Sequence, residues 1–188
     1  MSQVDLLAID RDEYRNYFDL LAKRLLSKGF QIERAVGVNP YHVEVLASKT
    51  KLEANKFGKM NYFILASPLE TPDTNTVLNY SARSMKYALD NPDSVLPRGF
   101  GRGVLVVPTI VSLDLDDMVK NWISSTFMKK HWAALEFPVL ISLKDKRPYY
   151  CTKTPFWGGL YYDEVREFVE EHLSFHPTWP TFRTGWVT

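Results

Sequence analysis

The run Arg98, Gly99, Phe100, Gly101, Arg102, Gly103 holds the residue types best suited to grip a small ligand. Glycines let backbone N–H groups converge on one point, and a guanidinium offers paired donors to a phosphate or carboxylate. Arg98, Gly99, Gly101 and Arg102 are therefore candidate anion-binding residues. Phosphate loops ordinarily lead from a strand into a helix, whereas this one leads into the apolar run Val104 to Val107, and neither the Walker nor the Rossmann glycine pattern is matched. A turn that delivers the chain into a strand, with arginines on its rim, accounts for the same residues. Trp157 is the second candidate. It lies in Thr154, Pro155, Phe156, Trp157, Gly158, Gly159, where glycines beside an indole permit a ring-lined cleft, or a hydrophobic plug over a sheet edge.

Other reactive side chains carry weaker patterns. Cys151 is a nucleophile only if His131 or His176 folds beside it, and a lone strand cysteine is otherwise a small buried hydrophobe. His172 and His176 are spaced as two ligands on one helix face, without the companion HExxH pattern or cysteine pair of a zinc site. Lys129, Lys130, His131 and Trp132 mix charge with a ring as single-strand binders do, and read equally as a solvated helix-to-strand connection. Asp116 and Asp117 suit the first turn of a helix. No G-x-S-x-G elbow is present, and no pattern calls for a metal or a cofactor.

With 188 residues the chain fits one domain, 1–176, followed by an extended tail, 177–188, rich in proline and aromatic residues. A formal net charge of +1 gives no long-range field for polyanions, so nucleic-acid binding would need a local patch. One cysteine excludes an internal disulfide framework and fits a reducing compartment. Asp5 and Asp10 break the pattern of a secretory leader, and no apolar run approaches the roughly 20 residues that span a bilayer. A cytoplasmic location is expected. Aromatic residues make up 14%, enough to expect some rings at a surface that meets a partner.

The elements that must position these residues follow from periodicity. Asp10 and Glu13 resemble a capping box, after which Tyr14, Phe18, Leu21 and Leu25 mark an amphipathic helix that Gly29 ends. Residues 30–38 and 41–49 read as a hairpin about Asn39 and Pro40, with 51–59 a polar loop or strand extension. Tyr62 to Ser67 is an uncharged central strand, and Asp73 or Thr74 caps a helix presenting Leu78, Ala82, Met85 and Leu89. Val104 to Val107 is a strand buried on both faces. Asp114 to Ser125 reads as a helix with Leu115, Met118, Val119 and Trp122 inward. Phe137 to Leu143 and Tyr149 to Thr152 form a second hairpin about Lys144, Asp145 and Lys146. The last helix, about Tyr161 to Leu173, buries Val165, Phe168, Val169 and Leu173. The expected fold is α/β (α+β): one mixed sheet of about six strands flanked by helices, in the order αβββαβαββα.

Over residues 10 to 112 the order helix, three strands, helix, strand resembles the core of restriction-endonuclease-like nucleases. That resemblance implies a metal held by an acid on the second core strand and an acid-x-Lys on the third, the lysine orienting the attacking water. The second strand offers Glu44 and Lys49, whereas Tyr62 to Ser67 contains neither acid nor lysine. An inactive relative is implied. The function expected is that of a binding or assembly module without catalysis of its own, forming a homo-oligomer through aromatic surface or the tail. The alternative is a metal-dependent phosphodiesterase or other phosphate-ligand enzyme.

Overall fold

The computed structural model describes residues 3–53, 58–91, 102–126, 129–131, 133–154 and 159–175. The first helix, α1, spans Gln3–Ser27. It starts well before Asp10, which is thus an interior residue and no cap: the leucines and alanine of residues 4–8 are good helix formers, with no glycine or proline to interrupt them. Its end is the one expected. Gly29 adopts φ 82°, while the N–H groups of Phe30 and Gly29 bond the carbonyls of Leu25 and Leu26, a Schellman motif sealed by the Phe30 and Leu25 side chains in the core.

Strands β1 (Gln31–Val38), β2 (Tyr41–Glu53) and β3 (Gly58–Pro68) form an antiparallel meander, the first turn being Asn39 and Pro40. Helix α2 (Thr74–Asp90) is capped by Asp73, whose carboxylate accepts the Thr76 N–H at 2.7 Å. It crosses over to β4 (Arg102–Ser112), which pairs parallel to β3 along its whole length. Beyond β4 lie α3 (Asp117–Ser125), β5 (Lys129–His131), β6 (Ala134–Glu136), β7 (Val139–Ser142), β8 (Arg147–Tyr149) and α4 (Gly159–Leu173).

The sheet forks at β4. Val104 to Val106 pair with β6, Thr109 to Ser112 pair with β7, and the break falls where Val107 and Pro108 face Phe137 and Pro138. Proline has no N–H to donate, so two prolines at one level end one ladder and let the next begin. β5 pairs with β6 and β8 with β7, so the single mixed sheet flanked by helices is the one expected, with eight strand segments once the short ones are counted. The additional hairpin is β5–β6, where the sequence suggested a loop: three-residue strands are too short for alternation to show.

Strict alternation divides the core. Val45, Ala47, Ile64, Leu105, Val107 and Ile141 pack under α1 and α4, while Leu46, Leu65, Val104, Val106 and Leu140 pack on the side of α2 and α3. Two helix faces differ from expectation. α2 buries Val77, Tyr80, Ser81, Ser84, Met85 and Ala88, while Ala82 is exposed and Leu78 and Leu89 are half-buried. The hydroxyls of Tyr80 and Ser81 go under because they find acceptors, Leu65 O at 2.8 Å and Glu136 Oε1 at 2.5 Å. α3 starts at Asp117 after its cap Asp116, buries Val119 and Ile123, and leaves Met118 73% exposed. α4 buries Val165, Val169 and Leu173 as expected, with Phe168 half-buried.

Candidate functional site

Where β7 turns into β8, the sequence Lys144, Asp145, Lys146, Arg147, Pro148, Tyr149, Tyr150 crowds three cations, one acid, a proline and two aromatic rings into seven residues. Residues 143–146 make the turn. The N–H groups of Leu143 and Lys144 bond back to the carbonyls of Ser112 and Leu113, and the Asp145 N–H bonds Ser142 Oγ. Around it a charged network closes. Lys120 Nζ of α3 lies 2.9 Å from Asp145 and 3.4 Å from Asp117, and the Tyr149 hydroxyl donates to Asp145 at 2.7 Å. The Arg147 guanidinium lies 4.4 Å from the Tyr149 ring centre. Tyr149 first, then Lys120, hold the Asp145 carboxyl down to about 2, and Asp145 in turn raises the Lys120 ammonium.

The opposite wall comes from α4. Tyr150 donates to Glu170 Oε1 at 2.5 Å, and burial followed by that carboxylate pushes its phenol up. Arg166 clamps the chain that leaves β8: its guanidinium donates to Cys151 O (3.0 Å), Lys153 O (2.7 Å) and Thr154 Oγ1 (2.9 Å) while pairing with Asp163. The Thr152 N–H bonds Ser124 O, tying the same segment to α3. Between these walls lies a groove of about 370 Å³, floored by Arg147 to Tyr150 and bounded by Ser124, Lys146, Thr152, Glu170, Ser174 and Phe175. Tyr150 and Glu170 hold each other across it, and the hydroxyls of Ser124, Thr152 and Ser174 bond backbone carbonyls, so much of its wall is set before anything enters.

A second, smaller hollow of about 230 Å³ lies between α1 and the β1–β2 edge. Its charges are mutually paired at the surface: Arg34 bridges Asp19 (2.7 Å) and Glu44 (3.5 Å), and His42 lies 3.4 Å from Glu44.

Of the residues expected from sequence, Arg98, Gly99, Gly101, Trp157, Trp132 and His176 lie outside the described residues, as does the tail. Arg102 opens β4 opposite Lys59. Its neighbour Gly103 sits against the Met60 thioether, which occupies the room a Cβ would need. Cys151 is buried in the core under α1 and α4, its thiol directed to Lys153 O at 3.4 Å, the environment of a packed hydrophobe. His172 is also a core residue. Its ring stacks on Phe168 at 4.2 Å and meets Phe30 edge-on at 5.4 Å, and burial lowers its pKa against the opposing Phe168 carbonyl bond. Lys129, Lys130 and His131 form β5.

Glu44 and Lys49 do not share a site: five residues apart on one strand they alternate to opposite faces, and Lys49 donates to Lys28 O at 2.5 Å. β3 contributes Lys59 and no acid. No group of three or more metal-ligating side chains occurs among the described residues, and none of their helices is long and apolar enough to cross a membrane. The groove residues were missed because Lys144 to Lys146 reads as an ordinary polar turn. The available signal was the sequence Arg147-Pro148-Tyr149-Tyr150, a guanidinium, a proline and two rings in a row.

No protein-family model, no curated protein and no solved structure matches this chain. The likeness to restriction-endonuclease-like nucleases suggested by element order therefore rests on that order alone.

Proposed function

We propose that this chain is a binding and assembly module without catalysis of its own, and that the groove between β8 and α4 receives a proline- and aromatic-containing segment of a partner protein. The observation that carries the reading is the floor of the groove: Pro148, Tyr149 and Tyr150 beside Arg147, backed by a network that leaves the rings pre-placed. Ring-lined grooves accept extended proline-bearing segments because such segments lose little entropy on docking. Pro148 on the short edge strand disfavours the other common mode, addition of a strand. A second copy of the chain is the simplest partner, since residues 177–188 carry Pro177, Trp179, Pro180, Phe182 and Trp186, and exchange of such a segment gives a symmetric dimer.

Light scattering across protein concentrations from about 10 μM to about 1 mM tests this, the upper value being the usual effective concentration of a tethered segment. The mass should climb toward two chains, and the groove-filling variant Thr152→Arg should suppress the rise. A one-chain mass at every concentration defeats the dimer.

A further inference from the structure

Resting on that reading of the groove, we infer that the partner segment it prefers carries carboxylates beside its prolines and rings, because the charge left uncommitted along the groove is positive. The acids are already taken. Glu170 accepts the Tyr150 hydroxyl at 2.5 Å, and Asp145 is held by the Tyr149 hydroxyl at 2.7 Å and by Lys120 at 2.9 Å. Nearby, Asp114 pairs with Lys144 at 2.5 Å and Asp163 with Arg166 at 3.0 Å. Lys146 and Arg147 both line the groove and are exposed, and neither pairs with a carboxylate among the described residues.

Both cations are held in place by the fold. The Arg147 guanidinium lies over the Tyr149 ring, 4.4 Å from its centre. A guanidinium resting on a ring face keeps the N–H groups along its edge, which match the two oxygens of one carboxylate. Its charge reaches both tyrosines of the floor, lowering the phenols of Tyr149 and Tyr150 against the burial that raises them. Lys146 is the residue at which the β7–β8 turn adopts φ 51°, a conformation that asparagine or glycine takes with less strain. That turn is anchored by the bonds from the Leu143 and Lys144 N–H groups to Ser112 O and Leu113 O, so the lysine leaves from a fixed point. The tail of a second copy supplies prolines and rings but no acid, and it brings Arg183. It is the weaker of two occupants, which confines exchange between copies to high protein concentration, whereas an acid-bearing segment of another protein binds at lower concentration.

The experiment uses the full chain and three fluorescently labelled peptides of proline, glycine and tyrosine, alike except at two positions that hold glutamate, glutamine or lysine. Anisotropy is read up to about 1 mM protein, at low and at physiological salt. The glutamate peptide should bind about 10-fold more tightly than the glutamine peptide, and the lysine peptide most weakly, with the preference shrinking as salt rises. Lys146→Asn, which suits the turn, and Arg147→Gln should each weaken the glutamate peptide about 5-fold and leave the glutamine peptide unchanged. The double variant should bind the two alike. Thr152→Trp, which fills the groove without adding charge, should remove binding of all three peptides. Equal affinity for the glutamate and glutamine peptides, or a glutamate preference that persists in the double variant, overturns the inference and leaves the reading of the groove standing. Binding that survives Thr152→Trp, or no binding of any peptide, overturns both.

Discussion

Two of the outer strands, β1 and β8, meet the same hazard, an unpaired row of backbone groups, in different ways. β1 is eight residues long and mostly exposed. Its pairing with β2 skips Ala35, which adopts φ 56° opposite Glu44, and Glu33 and Arg34 place charge beside the kink. Kinks and charges on an open edge discourage a further strand. β8 is three residues long, carries Pro148 and is walled by α4, so its edge is blocked by shortness and by proline. The first solution leaves a shallow hollow of surface ion pairs, whereas the second leaves a larger groove with rings on its floor. A strand can be protected from its neighbours by local backbone alone, but a binding groove needs a second element to stand against it.

Three substitutions sharpen that contrast. The largest effect belongs to the support of β8. Ile141 is fully buried between Val111 and Pro148, and Ile141→Ala should cost about 3 kcal/mol in denaturant unfolding, with the rise in mass at high protein concentration weakened as β8 loses its footing. On the β1 side, Ala35→Val should cost about 1–2 kcal/mol, because a β-branched side chain in the left-handed region is strained, and should leave the groove unaffected. Loss of the concentration-dependent rise in mass in Ala35→Val would show that the two edges are coupled.

The smallest effect is pH-dependent and confined to the β8 side. Because the Asp145 carboxyl is held at about 2, below its ordinary 3.8, its contribution is complete above about pH 4 and disappears as pH falls through about 2. In Asp145→Asn this part of the acid dependence should be absent, so wild type and variant should differ most near neutrality and converge in acid. Thermal unfolding at a series of pH values measures it. A constant gap between the two down to pH 2 would separate Asp145 from the acid response.

Much of this architecture was legible in the chain. Gly29, the Asn39–Pro40 turn and the Asp73 cap are local devices whose chemistry acts within a few residues, and each occurs where the sequence places it. The apolar run Val104 to Val107 lies within the central strand because a run with no polar alternation must be covered on both sides. On β2, β3 and β4 it is the side of the sheet that alternates from residue to residue, as the pleat requires.

Tertiary structure decided what depends on residues distant in sequence. Ser81 shares the helical face of Val77 and Met85, but the acceptor that satisfies its buried hydroxyl is Glu136, 55 positions later, which no helical periodicity reveals. The fork at β4 needs Pro108 and Pro138 at one level, and the pairing of distant strands sets that level. The groove itself joins Lys146 to Tyr150 with Ser124 on α3 and Glu170 on α4, three segments separated by at least twenty residues. Sequence determines caps, turns and buried faces because their energies are settled between neighbours. A site assembled across elements is determined by packing, which brings together groups that share no local pattern.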